Sequence, residues 1–125
     1  MIRLLIVDDH TVVRQGLSML FGTADDIEVV GTAADGVVAL TQVDALTPDV
    51  VLMDIGMPRL DGIEATRRIV TADPDARVVI LTGDTDQTKA EQAVEAGALA
   101  YLLKDADPEV LFAAVRTAYQ HQISH

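Results

Sequence analysis

Five short runs of mostly apolar residues, without alternating polar positions, constrain the fold of this chain more than any other feature of its sequence. They cover residues 2–7, 27–33, 50–53, 77–82 and 100–103. A strand with one face in a core alternates apolar and polar residues, whereas a strand covered on both faces is apolar throughout. The runs therefore predict five strands of a parallel sheet that has helices on both sides.

The segments between these runs have the spacing of amphipathic helices. Helices are predicted over residues 11–21, 36–45, 63–71 and 88–96, and a fifth runs from Pro108 to the end of the chain. Asp107 suits the cap of the fifth helix and Pro108 its first position. Strands that alternate with helices predict an α/β fold with a doubly wound parallel sheet. The 125 residues, 1–125, form one predicted domain.

Composition excludes several classes of function. The chain has no cysteine, which excludes disulfides, cysteine-ligated zinc and thiol catalysis. Its net charge of −11 repels a nucleic-acid backbone, so direct nucleic-acid binding is not expected. No apolar run reaches the roughly 18 residues of a membrane span, and the N-terminal run is too short for a signal peptide. We therefore expect a cytoplasmic protein that does not contact membranes.

Polar residues stand at the ends of four of the predicted strands. Asp8 and Asp9 follow the first strand and Asp54 the third, Thr82 ends the fourth, and Lys104 follows the fifth. Ligands of such sheets bind beyond the carboxyl ends of the strands, so these side chains should share one edge. Three neighbouring carboxylates repel one another and favour a cation. An all-oxygen ligand set suits Mg²⁺.

This set of groups predicts phosphoryl transfer. A carboxylate beside bound Mg²⁺ can attack phosphorus and form an acyl phosphate. Lys104 offers a positive charge and Thr82 a hydroxyl to the phosphoryl oxygens, while the metal ion neutralises the remaining charge.

The segments around these residues resemble those of response regulator receiver domains. The matching segments are LLIVDDH (4–10), VVLMDIGMPRLDG (50–62), VVILTG (78–83) and AYLLKD (100–105). The segment YLLKDADPEVLFAAV (101–115) resembles the subfamily whose receivers usually precede a LuxR-type helix-turn-helix domain. The resemblance implies the flavodoxin-like (βα)5 fold with strand order 2-1-3-4-5. It also implies a phosphorylation-operated switch of a two-component system.

The resemblance gives a role to each polar residue of the strand ends. Asp54 matches the phosphoacceptor, which takes its phosphoryl group from a sensor histidine kinase or a small acyl phosphate. Thr82 and Lys104 match the switch hydroxyl and the phosphate-binding lysine. Tyr101 matches an aromatic switch residue, although a half-buried tyrosine is also common in strands without that role.

The same resemblance implies the ligands of Mg²⁺. Asp9, Asp54 and the main-chain carbonyl of Gly56 match direct ligands, and Asp8 matches an acid that acts through water. Gly56 and Asp84 stand where side chains influence dephosphorylation in related receivers, so the lifetime of the phosphorylated state is left open. His10 is expected only to flank the site.

The subfamily resemblance also implies partners. Besides the kinase, it suggests a phosphorylation-dependent homodimer through the first and fifth helices, and contact with DNA only through an output domain absent from this chain. Val12, Gly16 and Met19 form a stripe off the core face of the first helix. The stripe is either part of that interface or a set of scattered exposed residues. The fourth helix buries one large apolar residue, Val94, and a few alanines at most, and is therefore predicted to be the weakly packed output region.

Two alternatives have the same topology. An aspartate-nucleophile phosphohydrolase often carries a second Asp two residues after the nucleophile, but here that position is Gly56. The chain also has no insertion that would hold a substrate. A flavin-binding domain needs a phosphate loop rich in Gly, Ser and Thr, whereas Asp8-Asp9-His10 has the wrong charge. The favoured interpretation is thus a signalling domain rather than a turnover enzyme.

Overall fold

A computed structural model describes residues 1–83 and 86–121, in which five strands and five helices alternate. The strands are β1 (Ile2–Val7), β2 (Ile27–Ala33), β3 (Val50–Asp54), β4 (Val78–Thr82) and β5 (Ala100–Leu103). The helices are α1 (Thr11–Gly22), α2 (Gly36–Leu46), α3 (Gly62–Ala72), α4 (Gln87–Ala96) and α5 (Pro108–Gln120). None of these helices is long and apolar enough to cross a bilayer, as far as the described residues extend.

The strands form one parallel sheet in the order β2-β1-β3-β4-β5. This confirms the α/β fold class and the strand order that the family resemblance implied. The prediction that α5 continues to the end of the chain is wrong at His121, whose backbone is extended and ends the helix. Its further course over 122–125 lies outside the described residues.

Both faces of the sheet are buried, which explains why the strand sequences do not alternate. In β1, Leu5 and Val7 lie in an apolar layer with side chains of α2, α3 and α4. Leu4 and Ile6 point to the opposite layer, which contains side chains of α1 and α5. The central strands β3 and β4 are buried at every position. Polar residues at their carboxyl ends are therefore held by a rigid support.

Aromatic contacts join α1 to α5. The rings of Phe21 and Phe112 meet edge to face with their centroids 5.3 Å apart, and Phe21 is completely buried. Arg116 lies over the Phe112 ring and forms a bidentate ion pair with Asp26 at 2.8 and 2.9 Å. Pro108 takes the first position of α5 as predicted, but the described Asp107 side chain makes no capping hydrogen bond. The non-helical Asp107 backbone, followed by proline, begins the helix without this bond.

Helix α4 is attached to the domain mainly by small side chains. Its buried residues are Ala93 and Ala96, whereas Val94 is 65% exposed. The expectation that Val94 is buried is therefore wrong, because it lies one position off the face that the two alanines define. Gly97 ends the helix at φ 109°, a conformation that favours glycine.

Candidate functional site

The carboxyl ends of the strands bring the predicted polar residues together at one edge of the sheet. Lys104 Nζ lies 2.9 Å from Asp8 Oδ2 and 3.0 Å from Asp54 Oδ1. Both carboxyl groups are almost fully buried. Thr82 is also buried, and its carbonyl accepts a hydrogen bond of 2.7 Å from the Lys104 amide. One lysine thus links the ends of β1 and β3 from its place beyond β5.

Four side chains converge at this edge and could hold a metal ion. Asp8, Asp9, His10 and Asp54 each offer a ligand atom, and these atoms lie within 4.8 Å of one another. Asp54 Oδ2 is buried and has no hydrogen-bond donor among the described residues. A buried carboxylate oxygen without a partner is unfavourable, and a cation would supply one. The oxygen atoms of the cluster fit Mg²⁺, which keeps several waters and takes few protein ligands.

Burial and charge work against each other at Asp54. Burial and the neighbouring Asp8 carboxylate raise the pKa of Asp54 above its usual value, although contact with the Lys104 ammonium opposes the shift. Burial disfavours the charge on Lys104, but its two carboxylate partners outweigh this effect and raise the pKa of Lys104. The lysine stays charged at neutral pH, and a bound cation would favour the ionised form of Asp54.

The loop after Asp54 depends on a close approach of two backbone segments. A Cβ atom on Gly62 would lie 1.9 Å from the Asp54 carbonyl oxygen, and the Gly62 amide donates a 2.9 Å hydrogen bond to Ile55. Helix α3 therefore begins directly against the main chain of the candidate nucleophile. Gly56 is exposed, and a Cβ there would meet no atom within 4 Å. The site thus requires a glycine at 62, a residue to which the sequence analysis assigned no role.

The same loop is tied to α2 by an ion pair. Arg59 has a left-handed backbone with φ 67°, and its guanidinium contacts the carboxylate of Asp35. Asp35 also caps α2 by accepting a hydrogen bond of 2.9 Å from the Val38 amide. The Arg59 guanidinium, and then this amide, hold the pKa of Asp35 below its usual value. The pair stabilises a strained loop beside Asp54, and nothing local in the sequence indicates it.

Arg14 of α1 and His10, the residue at its N-terminal cap, hold Asp8 and Asp9 in place after β1. Arg14 Nη1 donates a 2.7 Å hydrogen bond to the Asp8 carbonyl, and the His10 amide donates one of 2.8 Å to Asp8 Oδ1. The His10 ring nitrogen Nδ1 lies 3.2 Å from Asp8 Oδ1 and 3.1 Å from Asp9 Oδ1. The structure therefore places His10 within the cluster, closer than the sequence analysis expected.

Tyr101 lies farther back, on β5 beside Ile80 of β4. It is half-buried, and its hydroxyl is enclosed without a hydrogen-bond partner in the described part of the chain. The Lys104–Asp105 peptide bond that follows β5 is trans. Asp84, the other position linked to dephosphorylation, lies outside the described residues.

Comparison with known proteins decides the family. The family model described as the response regulator receiver domain matches residues 4–116. This chain belongs to that family. The recognition made from the sequence is thereby confirmed, and with it the classification as a receiver domain of two-component systems.

Two curated relatives of this receiver domain are described as transcriptional regulatory proteins. It is 47% identical over 119 residues to the uncharacterized transcriptional regulatory protein YhcZ of Bacillus subtilis, covering 95% of this chain and 54% of the relative. It is 43% identical to the transcriptional regulatory protein LiaR of the same species, covering 94% and 56%. The chain thus spans about half the length of the curated relatives it matches.

Solved structures agree with the fold of this receiver domain. A LuxR-family two-component response regulator from Aurantimonas superposes with a TM-score of 0.90 at 39% identity, covering 94% of this chain and 84% of that one. The receiver domain of the response regulator NarL from Mycobacterium tuberculosis gives 0.89 at 30% identity, covering 96% and 98%. The similarity to LuxR-family regulators that the sequence indicated is confirmed.

Proposed function

We propose that Asp54 of this receiver domain accepts a phosphoryl group in the presence of Mg²⁺ and that the modification switches the domain between two states. The observation that carries the proposal is the environment of Asp54. Its carboxylate is buried, contacts Lys104 at 3.0 Å, lies beside Asp8 and Asp9, and has one oxygen without a donor among the described residues.

The chemistry follows from these positions. A carboxylate oxygen of Asp54 forms a bond to phosphorus while the bond from phosphorus to the donor breaks, and the donor leaves with that electron pair. The donor is a phosphohistidine of a sensor kinase or a small acyl phosphate. Lys104 neutralises charge on the phosphoryl oxygens, and the Thr82 hydroxyl donates a hydrogen bond to one of them. These two residues position the group rather than form bonds to phosphorus.

We assign the metal ligands on the same basis. Asp9, Asp54 and the carbonyl of Gly56 would bind Mg²⁺ directly, and Asp8 would hold it through water. When bound, the ion supplies positive charge opposite Lys104 and reduces repulsion between the carboxylates and the incoming phosphoryl oxygens. The exposed position of Gly56 leaves this side of the cluster open to solvent and donor.

The conformational readout is assigned to Thr82 and Tyr101. Movement of the Thr82 side chain toward the phosphoryl group would leave space for the Tyr101 ring, whose hydroxyl has no partner inside the described domain. Helix α4 is the next element after β4, and its buried residues are Ala93 and Ala96. A weakly packed element of this kind opens at low free energy and suits a switch.

The partners are a sensor histidine kinase and, after phosphorylation, a second copy of the chain through α1 and α5. Val12 and Met19 on α1 are 82% and 76% exposed. The packing of Phe21 on Phe112 holds α1 and α5 together, so that both helices can contribute to one interface. Contact with DNA would come through a LuxR-type output domain, because the curated relatives named above are about twice as long as this chain. A cytoplasmic location remains a prediction.

Intact mass spectrometry tests the phosphoacceptor. Incubation with acetyl phosphate and Mg²⁺ should add one phosphoryl group to the chain and to Asp25→Asn, which changes an exposed acid outside the site. The Asp54→Asn variant should gain none. Full labelling of that variant would contradict the assignment, and sustained turnover of p-nitrophenyl phosphate would favour the phosphohydrolase instead.

Light scattering tests the dimer. Beryllofluoride with Mg²⁺ should increase the molar mass of the chain, and Met19→Asp should prevent the increase. The matched control is Val37→Asp, which alters an exposed valine on α2 in the opposite layer. A monomer in both states at high concentration would remove this interface from the proposal.

A further inference from the structure

We propose that His10 is a nitrogen ligand of the acidic cluster, so that its imidazole strengthens the binding of Zn²⁺, Ni²⁺ and Co²⁺ relative to Mg²⁺. The inference rests on the metal site proposed above and names the side chain that adds this preference to the three carboxylates. Carboxylate and water suit Mg²⁺, whereas imidazole suits Zn²⁺ and Ni²⁺.

The positions of the ligand atoms support this assignment. His10 Nδ1 lies 3.2 and 3.1 Å from oxygen atoms of Asp8 and Asp9. Two ligands at right angles around a cation, each with a bond of about 2.1 Å, are about 3.0 Å apart. His10 Nδ1 and Asp9 Oδ1 therefore have the separation of neighbouring ligands on one ion, and Asp54 offers another ligand atom within 4.8 Å of both.

The backbone position of His10 is a second argument. It is the N-terminal cap of α1, a position that favours Ser, Thr, Asp and Asn because their side chains bind the first helix amides. The described His10 side chain makes no such bond, and its ring faces the two carboxylates instead. With 64% of the side chain exposed, the ring closes the cluster on its solvent side.

The buried side of the cluster gives independent evidence for a cation. Asp54 is 4% exposed, and its Oδ2 has no donor in the described residues. Either Mg²⁺ held by the carboxylates alone or an ion that the ring also binds would satisfy that oxygen. The two arrangements differ in which cations bind, and this difference can be measured.

Titration calorimetry of the chain, prepared without a histidine tag, tests the inference with Ni²⁺, Zn²⁺ and Mg²⁺. His10→Asn should weaken Ni²⁺ and Zn²⁺ binding at least about tenfold, since even partners outside the ligand set typically change metal affinity by that factor. Its Mg²⁺ affinity should fall by a much smaller factor, because imidazole is not a preferred ligand of Mg²⁺. His121→Asn is the matched control, because it removes another exposed histidine and should bind all three ions as the parent chain does.

Visible absorption of the Co²⁺-loaded chain gives a separate readout, since replacing a nitrogen ligand by water shifts the ligand-field bands. The spectrum should change in His10→Asn and not in His121→Asn. Asparagine is a preferred helix cap, so the variant should fold, and its melting curve verifies this. Unchanged Ni²⁺ affinity and an unchanged Co²⁺ spectrum in His10→Asn would overturn the inference.

Failure of this inference can be separated from failure of the proposed function. Labelling of the parent chain by acetyl phosphate with Mg²⁺ tests the proposed function alone, because that experiment does not vary His10. Absence of labelling in the parent chain would refute the phosphoacceptor role of Asp54, but it would not change the metal affinities that calorimetry measures. Equal weakening of Mg²⁺ and Ni²⁺ by His10→Asn would instead refute the nitrogen ligand, because it would show general damage to the cluster.

Discussion

Replacement of Gly62 by alanine should damage both stability and phosphorylation, because this glycine lies against the main chain of Asp54. The added Cβ would lie 1.9 Å from the Asp54 carbonyl oxygen, 2.8 Å from its carbonyl carbon and 2.9 Å from the Ile55 Cα. All three contacts are with backbone atoms, so no side chain can rotate away. Helix α3 and the end of β3 must separate by at least about 1.5 Å to reach ordinary contact.

The cost follows from the burial of this contact. Overpacking a core costs about 1 to 3 kcal/mol, and a rigid backbone neighbour favours the upper end. Loss of the 2.9 Å hydrogen bond from the Gly62 amide to Ile55 adds about 1 kcal/mol. A total of about 3 to 4 kcal/mol is a large part of the roughly 5 to 15 kcal/mol by which a domain is stable. The melting temperature should fall by roughly 10 °C or more.

The same displacement should slow phosphorylation. Asp54 Oδ1 lies 3.0 Å from Lys104 Nζ, a contact that a shift of the Asp54 backbone would break. Misplacement of a reacting group by about 1 Å can cost about 100-fold in rate. We expect the rate of labelling by acetyl phosphate in Gly62→Ala to fall by about that factor, measured below the melting temperature of the variant.

The control is Gly16→Ala, the same chemical change on an exposed turn of α1. A Cβ there meets no atom within 4 Å, and alanine in a helix interior is about 1 kcal/mol more favourable than glycine. This variant should therefore melt higher than the parent and label at the parent rate. If Gly62→Ala were as stable and as reactive as Gly16→Ala, the close approach of α3 to Asp54 would be wrong.

Three further predictions rest on burial and charge. Asp54→Asn should raise the melting temperature at neutral pH in metal-free buffer. Because the pKa of Asp54 is raised in the folded state, the folded chain holds this proton more tightly than the unfolded chain does. The parent chain therefore loses stability as the pH rises from the unfolded-state pKa to the folded-state pKa of Asp54. The advantage of the variant should shrink as the pH falls through that interval, and an equal gain at every pH would contradict the shift. Hydrogen exchange should be faster over residues 86–97 than over α1, and beryllofluoride should change this segment most. Phe21→Ala should lower the free energy of unfolding by about 3 to 5 kcal/mol in urea, whereas Val12→Ala should be nearly neutral.

The fold and the edge residues could be predicted because each depends on a local pattern. An apolar run of four to seven residues indicates a buried strand, and the polar residue that ends it must lie at the carboxyl edge of a parallel sheet. Asp8, Asp54, Thr82 and Lys104 were placed in this way, and the structure brings them together. The strand order came from the family resemblance, because no local pattern states which strands are neighbours.

Contacts between distant segments could not be predicted. Arg59 and Asp35 are 24 positions apart, and their pairing depends on how two loops meet above the sheet. The requirement for Gly62 depends on the path of Asp54, which a pattern of residue types does not contain. Val94 illustrates a different error, since a large apolar side chain on a helix is not necessarily buried. The spacing of Ala93 and Ala96 defines the buried face, and Val94 lies beside it.

The charges at the edge of the sheet explain why this site depends on a divalent cation. Asp8, Asp9 and Asp54 contribute three negative charges when ionised, and Lys104 contributes one positive charge. A phosphoryl group on Asp54 increases the negative charge further, since a phosphoryl group carries about −1.5 to −2 at neutral pH. Any divalent ion offsets this excess, so charge alone does not choose among metals. The preference for one metal ion over another is set by the donor atoms. His10 adds a nitrogen donor, and in its neutral form it adds no charge.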